Sequence, residues 1–288
     1  MKVKMLLTTM LATLSLFTMT ASAQVTYEHI RNATGKLTYN DTTILIDPML
    51  AEKGRYEGFQ NCFNPEVRNP TVELPESKEK VLENVDAVIV THTHLDHWDE
   101  VAQSFIQKDI LLFAQDEKDA AAIRKEGFTN VHVLTNGTKI GDVTVDNIEG
   151  THGSKEMYDN PDYAASLGDS MGMVFSAPHE RTTYVMGDTV WTPRVNKTIF
   201  DYHPDLIVMN TGYAKILSFN DAIITGTEDV GHAARLAPDA DIITVHMDAI
   251  NHCTVSRSNM REYVKSAKLQ KRVHVPNDGE EVTFPSKK

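Results

Sequence analysis

Short apolar runs alternate with amphipathic stretches along most of this chain, and turn-forming residues punctuate them. Runs at 25–30, 35–39 and 43–46 read as opening strands, the last closed by Asp47-Pro48. Residues 85–90 form a short, largely apolar and β-branched run, the pattern of a buried strand. Further strands are expected at 110–114, 131–134, 173–176, 183–186, 206–209 and 242–245. Residues 139–147 read as two strands meeting near Gly141, and 273–275 and 281–284 as short extended ends. Helical spacing is seen at 76–83, 99–108, 117–126, 227–237 and 256–269, with Ser256 as an N-cap. Residues 49–75 are polar and rich in Gly, Asn and Pro, a long loop of the kind that shapes a site. This mixed order predicts an α/β protein, with sheets covered by helices.

Chemistry gathers where these strands end. The run at 85–90 enters Thr-His92-Thr-His94-Leu-Asp96-His97-Trp98. The run at 145–149 enters Gly-Thr-His152, that at 183–186 enters Gly-Asp188, and that at 242–245 enters His246. Rigid strands aim the residues that follow them into one crevice. One histidine after a strand usually serves structure. Four strand ends carrying His or Asp, one of them a dense cluster, indicate a metal site. Imidazole and carboxylate together suit Zn first, with Mn or Fe as further occupants.

The ordered set His-x-His-x-Asp-His, His, Asp, His, spaced roughly 50, 35 and 60 residues apart along the chain, resembles the metallo-β-lactamase superfamily of hydrolases. The resemblance covers nearly all of the chain from Gln24 to Phe284. It implies a four-layer αββα sandwich and two divalent metal ions. It assigns His92, His94 and His152 to one ion and Asp96, His97 and His246 to the other, with Asp188 bridging them. Asp96 and Asp188 are thereby the carboxylates of the catalytic centre. Asp47 matches an aspartate that holds a ligand histidine by its other ring nitrogen, and it reads equally as a strand terminator.

The neighbours of the cluster refine the branch. Trp98-Asp99 stands where many members continue with glycine, and His94 stands where redox di-iron members carry Glu. The segment is nearer to the branch resembling ascorbate-phosphate lactonases and the N-acyl-phosphatidylethanolamine phospholipase D group. Ester or lactone hydrolysis is therefore the leading expectation, followed by phosphodiester and then β-lactam hydrolysis. A metal-binding protein without turnover is the alternative from another class, and a bridging Asp188 argues against simple storage. Trp98, Asn251 and His252 are candidates for substrate contact. Core packing for Trp98 and loop hydrogen bonding for Asn251 and His252 are the competing roles.

Composition narrows the partners. The chain has 288 residues and a net charge of −12. That balance disfavours nucleic acid and anionic lipid and fits a small-molecule substrate. Residues 1–23 have a basic start, an apolar stretch and Ala21-Ser22-Ala23, the three-part pattern of a secretory signal peptide. The mature hydrolase domain would span 24–288 and reside in the periplasm, or outside a cell with one membrane, without stable membrane insertion. The two cysteines, Cys62 and Cys253, lie far apart in sequence, which leaves their pairing open.

Overall fold

The computed structural model describes residues 24–287, so the expected signal segment lies outside the described residues. The first half contains β1 (Gln24–Arg31), β2 (Thr34–Tyr39), β3 (Thr42–Ile46), α1 (Lys78–Val81), β4 (Ala87–Val90), α2 (Glu100–Phe105), β5 (Leu111–Ala114), α3 (Glu117–Lys125) and β6 (Val131–Val133). It continues with β7 (Thr138–Ile140), β8 (Val143–Glu149), α4 (Lys155–Asp159), α5 (Pro161–Leu167), β9 (Met171–Ser176) and β10 (Thr183–Val185). Then come α6 (Pro193–Tyr202), β11 (Leu206–Asn210), β12 (Lys215–Ile216), β13 (Asp221–Ala222), α7 (Thr227–Leu236) and β14 (Asp241–Val245). The last elements are α8 (Arg257–Ser266), β15 (Val273–His274) and β16 (Glu280–Pro285).

Two seven-stranded sheets result, ordered β16-β1-β2-β3-β4-β5-β6 and β15-β14-β11-β10-β9-β8-β7. Alternation along each strand explains how they stack. Ile44, Ile46, Ala87 and Ile89 face the second sheet and meet Val145, Met173, Phe175, Val208 and Ile243. The residues between them, Leu45, Val88 and Val90, face outward onto Trp98, Ala102, Ala120 and Ile123. Ile207 and Met209 likewise turn outward to Val195, Ile199, Val230 and Met260 of α6, α7 and α8. Both faces of the central strands are buried, so their sequences are continuously apolar rather than alternating. The layers are helix, sheet, sheet, helix, which is the expected αββα sandwich.

Strand direction places the site. β3 and β4 are parallel, and β1 shares their direction because β2 lies antiparallel between β1 and β3. In the second sheet β10, β11 and β14 are parallel, and β8 shares their direction because β9 lies antiparallel to both β8 and β10. The carboxyl ends of these strands therefore leave the same edge of their sheet. The two edges are tied where the His246 backbone N–H donates to Asn32 O at 2.9 Å.

Several elements differ from the sequence reading. α6 was not expected, although Pro193 at its first turn and the buried Val195 and Ile199 four apart mark it. α4, α5 and the β12–β13 hairpin were not expected either. They are short, and only Met157, Leu167 and Ala222 of them are buried. No helix among the described residues is long and apolar enough to cross a membrane.

Phe175 is fully buried between the sheets. Phe175→Ala should lower stability by ~3–5 kcal/mol, through lost burial plus the cavity left behind. Urea unfolding of the metal-loaded protein measures this. A loss below ~1 kcal/mol would contradict this placement of the core.

Candidate metal centre

The loop after β4 is a tight turn in which the backbone N–H groups of His97 and Trp98 both donate to His94 O at 2.9 Å. Successive side chains of such a turn point in different directions. His92, His94, Asp96 and His97 face the sheet edge, while Trp98 turns into the helix layer. There Trp98 packs on Phe128, with ring centroids 5.4 Å apart, and its indole donates to Glu126 at 2.8 Å. Trp98 is thus a core residue that does not line the cavity at the site. Asp99, beside it, caps α2 by accepting from Ala102 N and also accepts from Ala51 N.

The second sheet supplies the rest. His152 follows β8, Asp188 follows β10 and His246 follows β14. Gly187 holds φ at +65°, and a Cβ there would lie 2.3 Å from Met171 O, so the approach to Asp188 requires glycine. His246 itself sits at a φ of 61° and Asp47 at 47°, left-handed conformations that surrounding contacts must maintain.

All seven expected ligands converge. His92, His94 and His152 form one group whose ligand atoms lie within 4.8 Å of one another, and Asp96, His97 and His246 form a second. His92, His97 and Asp188 form a third group that links them. Asp188 Oδ2 lies 3.1 Å from His97 Nε2, 3.7 Å from His152 Nε2 and 3.7 Å from His246 Nε2.

Hydrogen bonds on the outside fix which nitrogen of each ring faces inward. His97 Nδ1 donates to Asp47 Oδ2 at 2.8 Å. Thr91 Oγ1 donates to the same oxygen at 2.7 Å and accepts from His92 Nδ1 at 3.0 Å. His152 Nδ1 donates to Ile223 O, and His246 Nδ1 faces Cys253 Sγ at 3.6 Å. His94 is reversed: its Nε2 donates to Ser166 O at 2.9 Å, which leaves Nδ1 for the centre. Asp47 therefore holds two of the histidines, directly and through Thr91. Asn210 Nδ2 donates to Asp188 Oδ1 at 2.6 Å, and Asn32 Nδ2 donates to the Asp96 carbonyl at 3.0 Å. Sequence reasoning gave Thr91, Asn210 and Asn32 no role, and considered Cys253 only for pairing with Cys62. Asn210, at the end of the β11 apolar run, carried the same strand-end signal as the ligands.

The residues fit a cation. His92 Nε2 and Asp96 Oδ2 are buried without a hydrogen-bond partner. His97 Nε2 and His246 Nε2 face each other at 3.2 Å. Among the described residues, every ion pair of Asp47, Asp96 and Asp188 is to histidine and none to lysine or arginine. Burial alone would push the His97 pKa down, but Asp188, Asp47 and Asp96 outweigh it and raise it to about 10. Burial would raise the Asp188 pKa, yet His97 and His246 hold it well below the usual carboxylate range. By contrast, burial and the neighbouring His94 outweigh Asp188 and lower His152 to about 4. The carboxylates thus draw positive charge to the centre, and open ring nitrogens and oxygens converge there to take it.

A cavity of about 330 Å³ opens onto this centre. Phe59, Cys62, Leu167, Ile216 and Ile223 form an apolar wall, and His94, Asp96, His152, Asp188 and His252 line the polar side. Among the described residues, no lysine or arginine lines it. Asn251 lies behind the wall. Its Oδ1 accepts from Phe59 N and Asn69 Nδ2, and its Nδ2 donates to the Phe59 and Phe63 carbonyls. Asn251 therefore clamps the loop bearing Phe59 and Cys62 without lining the cavity. Cys62 and Cys253 are both free thiols.

The model of the beta-lactamase superfamily domain matches residues 42–247. The chain belongs to the metallo-β-lactamase superfamily. Within that superfamily it is a metal-dependent hydrolase of the UPF0173 family. A Bacillus subtilis protein of that family is 42% identical over 255 residues, covering 88% of this chain and 98% of its own. The crystal structure of a possible metal-dependent hydrolase from Veillonella parvula is 47% identical, with a TM-score of 0.89, over 91% of this chain and all of that one. An isothiocyanate hydrolase from Delia radicum gut bacteria is 43% identical with a TM-score of 0.87, over 90% of this chain and 99% of that one.

Asp47→Ala should weaken metal binding by about 10–100-fold, because two ring orientations lose their anchor. Competition with a chelator of known affinity reads this. Unchanged affinity would show that the ligand geometry is set without Asp47.

Proposed function

We propose that this superfamily member is an exported hydrolase with two metal ions that attacks a small, neutral, electrophilic carbon. The observation that carries the reading is the cavity: apolar on one side, lined on the other by His94, Asp96, His152 and Asp188 of the candidate ligands, and without lysine or arginine among the described residues. Divalent cations bound there, zinc first on ligand type and Mn or Fe next, supply a hydroxide nucleophile near neutral pH and Lewis acidity towards the substrate. His92, His94 and His152 would hold one ion, and Asp96, His97 and His246 the other. The Asp188 carboxylate, between the two sets, would offset the repulsion of two cations.

An isothiocyanate is the favoured substrate class, because a relative 43% identical over nearly its whole length is an isothiocyanate hydrolase. Water adds across the C=N bond, its oxygen to carbon and a proton to nitrogen, giving a thiocarbamate. Cleavage of the C–N bond then releases an amine and carbonyl sulfide, so one water is consumed per turnover. Ester or lactone cleavage is the second reading. It is favoured by the Asp-His-Trp-Asp segment at 96–99, which resembles the lactonase and phospholipase D branch. Phosphodiesters and β-lactams fall behind, since each commonly brings an anionic group that no lysine or arginine of the cavity would pair.

A panel of aryl and alkyl isothiocyanates, lactones, phosphodiesters and β-lactams with the metal-loaded protein tests this. Isothiocyanate turnover should dominate, and Asp188→Ala should lower kcat/KM by at least ~100-fold. An Asp188→Ala protein with full activity would defeat the proposed centre. Dominant phosphodiester turnover would defeat the neutral-carbon reading.

Export rests on residues 1–23. Protein recovered from the periplasm should begin at Gln24 by N-terminal sequencing, whereas a cytoplasmic protein that retains Met1 would refute export.

A further inference from the structure

The cavity contains one buried polar group that the ligand set does not use. His252 follows Asn251 on the loop after β14, and its side chain is 11% exposed. Its ring stacks 5.0 Å from Phe59 at 15° and 6.0 Å from His246 at 11°. That sandwich fixes the plane of the ring. Its Nε2 is buried without a hydrogen-bond partner. Asp96 Oδ2 lies 3.8 Å away, too far for a hydrogen bond.

Two features separate His252 from the ligands. Each ligand ring is fixed through a contact at its outer nitrogen, whereas His252 is held by stacking. His252 could also join His246 and Cys253 around an ion. The Cys253 thiol is already used there, since it faces His246 Nδ1 and donates to the His246 carbonyl at 3.4 Å. A carboxylate oxygen of Asp96 lies 3.8 Å from His252 Nε2, which favours the tautomer with hydrogen on Nε2. A fixed donor lining such a cavity stabilises charge that develops in the transition state.

We propose that neutral His252 donates a hydrogen bond from Nε2 to the substrate atom on which negative charge develops. That atom is the nitrogen or sulfur of an isothiocyanate, or the carbonyl oxygen of an ester. The assignment rests on the hydrolase reading above and adds a substrate-touching residue to it.

His252→Phe keeps the stack and removes the donor, and His252→Gln returns a donor. For a substrate that the wild-type protein turns over, His252→Phe should lower kcat by about 100-fold, with KM within about threefold and metal content unchanged. His252→Gln should recover about tenfold of that loss. A kcat for His252→Phe within threefold of wild type overturns the proposal. Equal losses in the two variants overturn it as well, and so does lost metal in either, which would make His252 a ligand. Thiocyanate ion reads the same contact without turnover. Its binding to the metal-loaded protein by calorimetry should weaken about tenfold in His252→Phe and be restored in His252→Gln. Unchanged thiocyanate binding overturns the contact. Weakened binding in a protein that hydrolyses no panel substrate keeps the contact and sinks only the substrate reading.

Discussion

Three carboxylates, Asp47, Asp96 and Asp188, are buried at one end of the sandwich, and among the described residues their ion pairs are all to histidine. Buried anions are costly unless opposite charge and hydrogen bonds surround them. Here the partners are imidazoles with their inner nitrogens facing one another. Such a cluster is self-consistent when positive charge occupies its middle. Much of the architecture at this end follows from that constraint. Parallel strands present the ligands on one edge of each sheet. Glycine at 187 permits the tight approach of Asp188, and the backbone of His246 is held in a left-handed conformation.

The outer contacts convert charge into geometry. Asp47, Thr91, Ile223, Ser166 and Cys253 each meet the outer nitrogen of one or more rings. The loop from His246 to Cys253 then joins metal chemistry to substrate shape. It supplies a candidate metal ligand in His246 and that ring's outer partner in Cys253. It also supplies the wall clamp in Asn251 and a donor facing the cavity in His252. A change in this loop should therefore move metal affinity and substrate choice together.

Much of this was legible in the sequence, for physical reasons. Strands buried on both faces leave continuous apolar runs, so β3, β4, β11 and β14 stood out. Ligands that directly follow such runs stood out with them. What was hidden depends on atoms without a sequence signature. The partner of His152 is the backbone carbonyl of Ile223, 71 residues away. Adjacency also misleads: Trp98 follows His97, but the turn sends the two side chains into different layers. Asn251 follows the ligand His246 by five positions, yet its amide reaches back to the loop at 59–64 rather than to the cavity. Helix α6 was missed although it is as long as α7 and α8, which were found, and carries its own buried i, i+4 pair in Val195 and Ile199.

The central claim is that the converged carboxylates and imidazoles hold two cations. Elemental analysis of protein purified from its own compartment tests it most directly. The account predicts two divalent metal ions per chain, with zinc foremost; one ion per chain, or none, would contradict it.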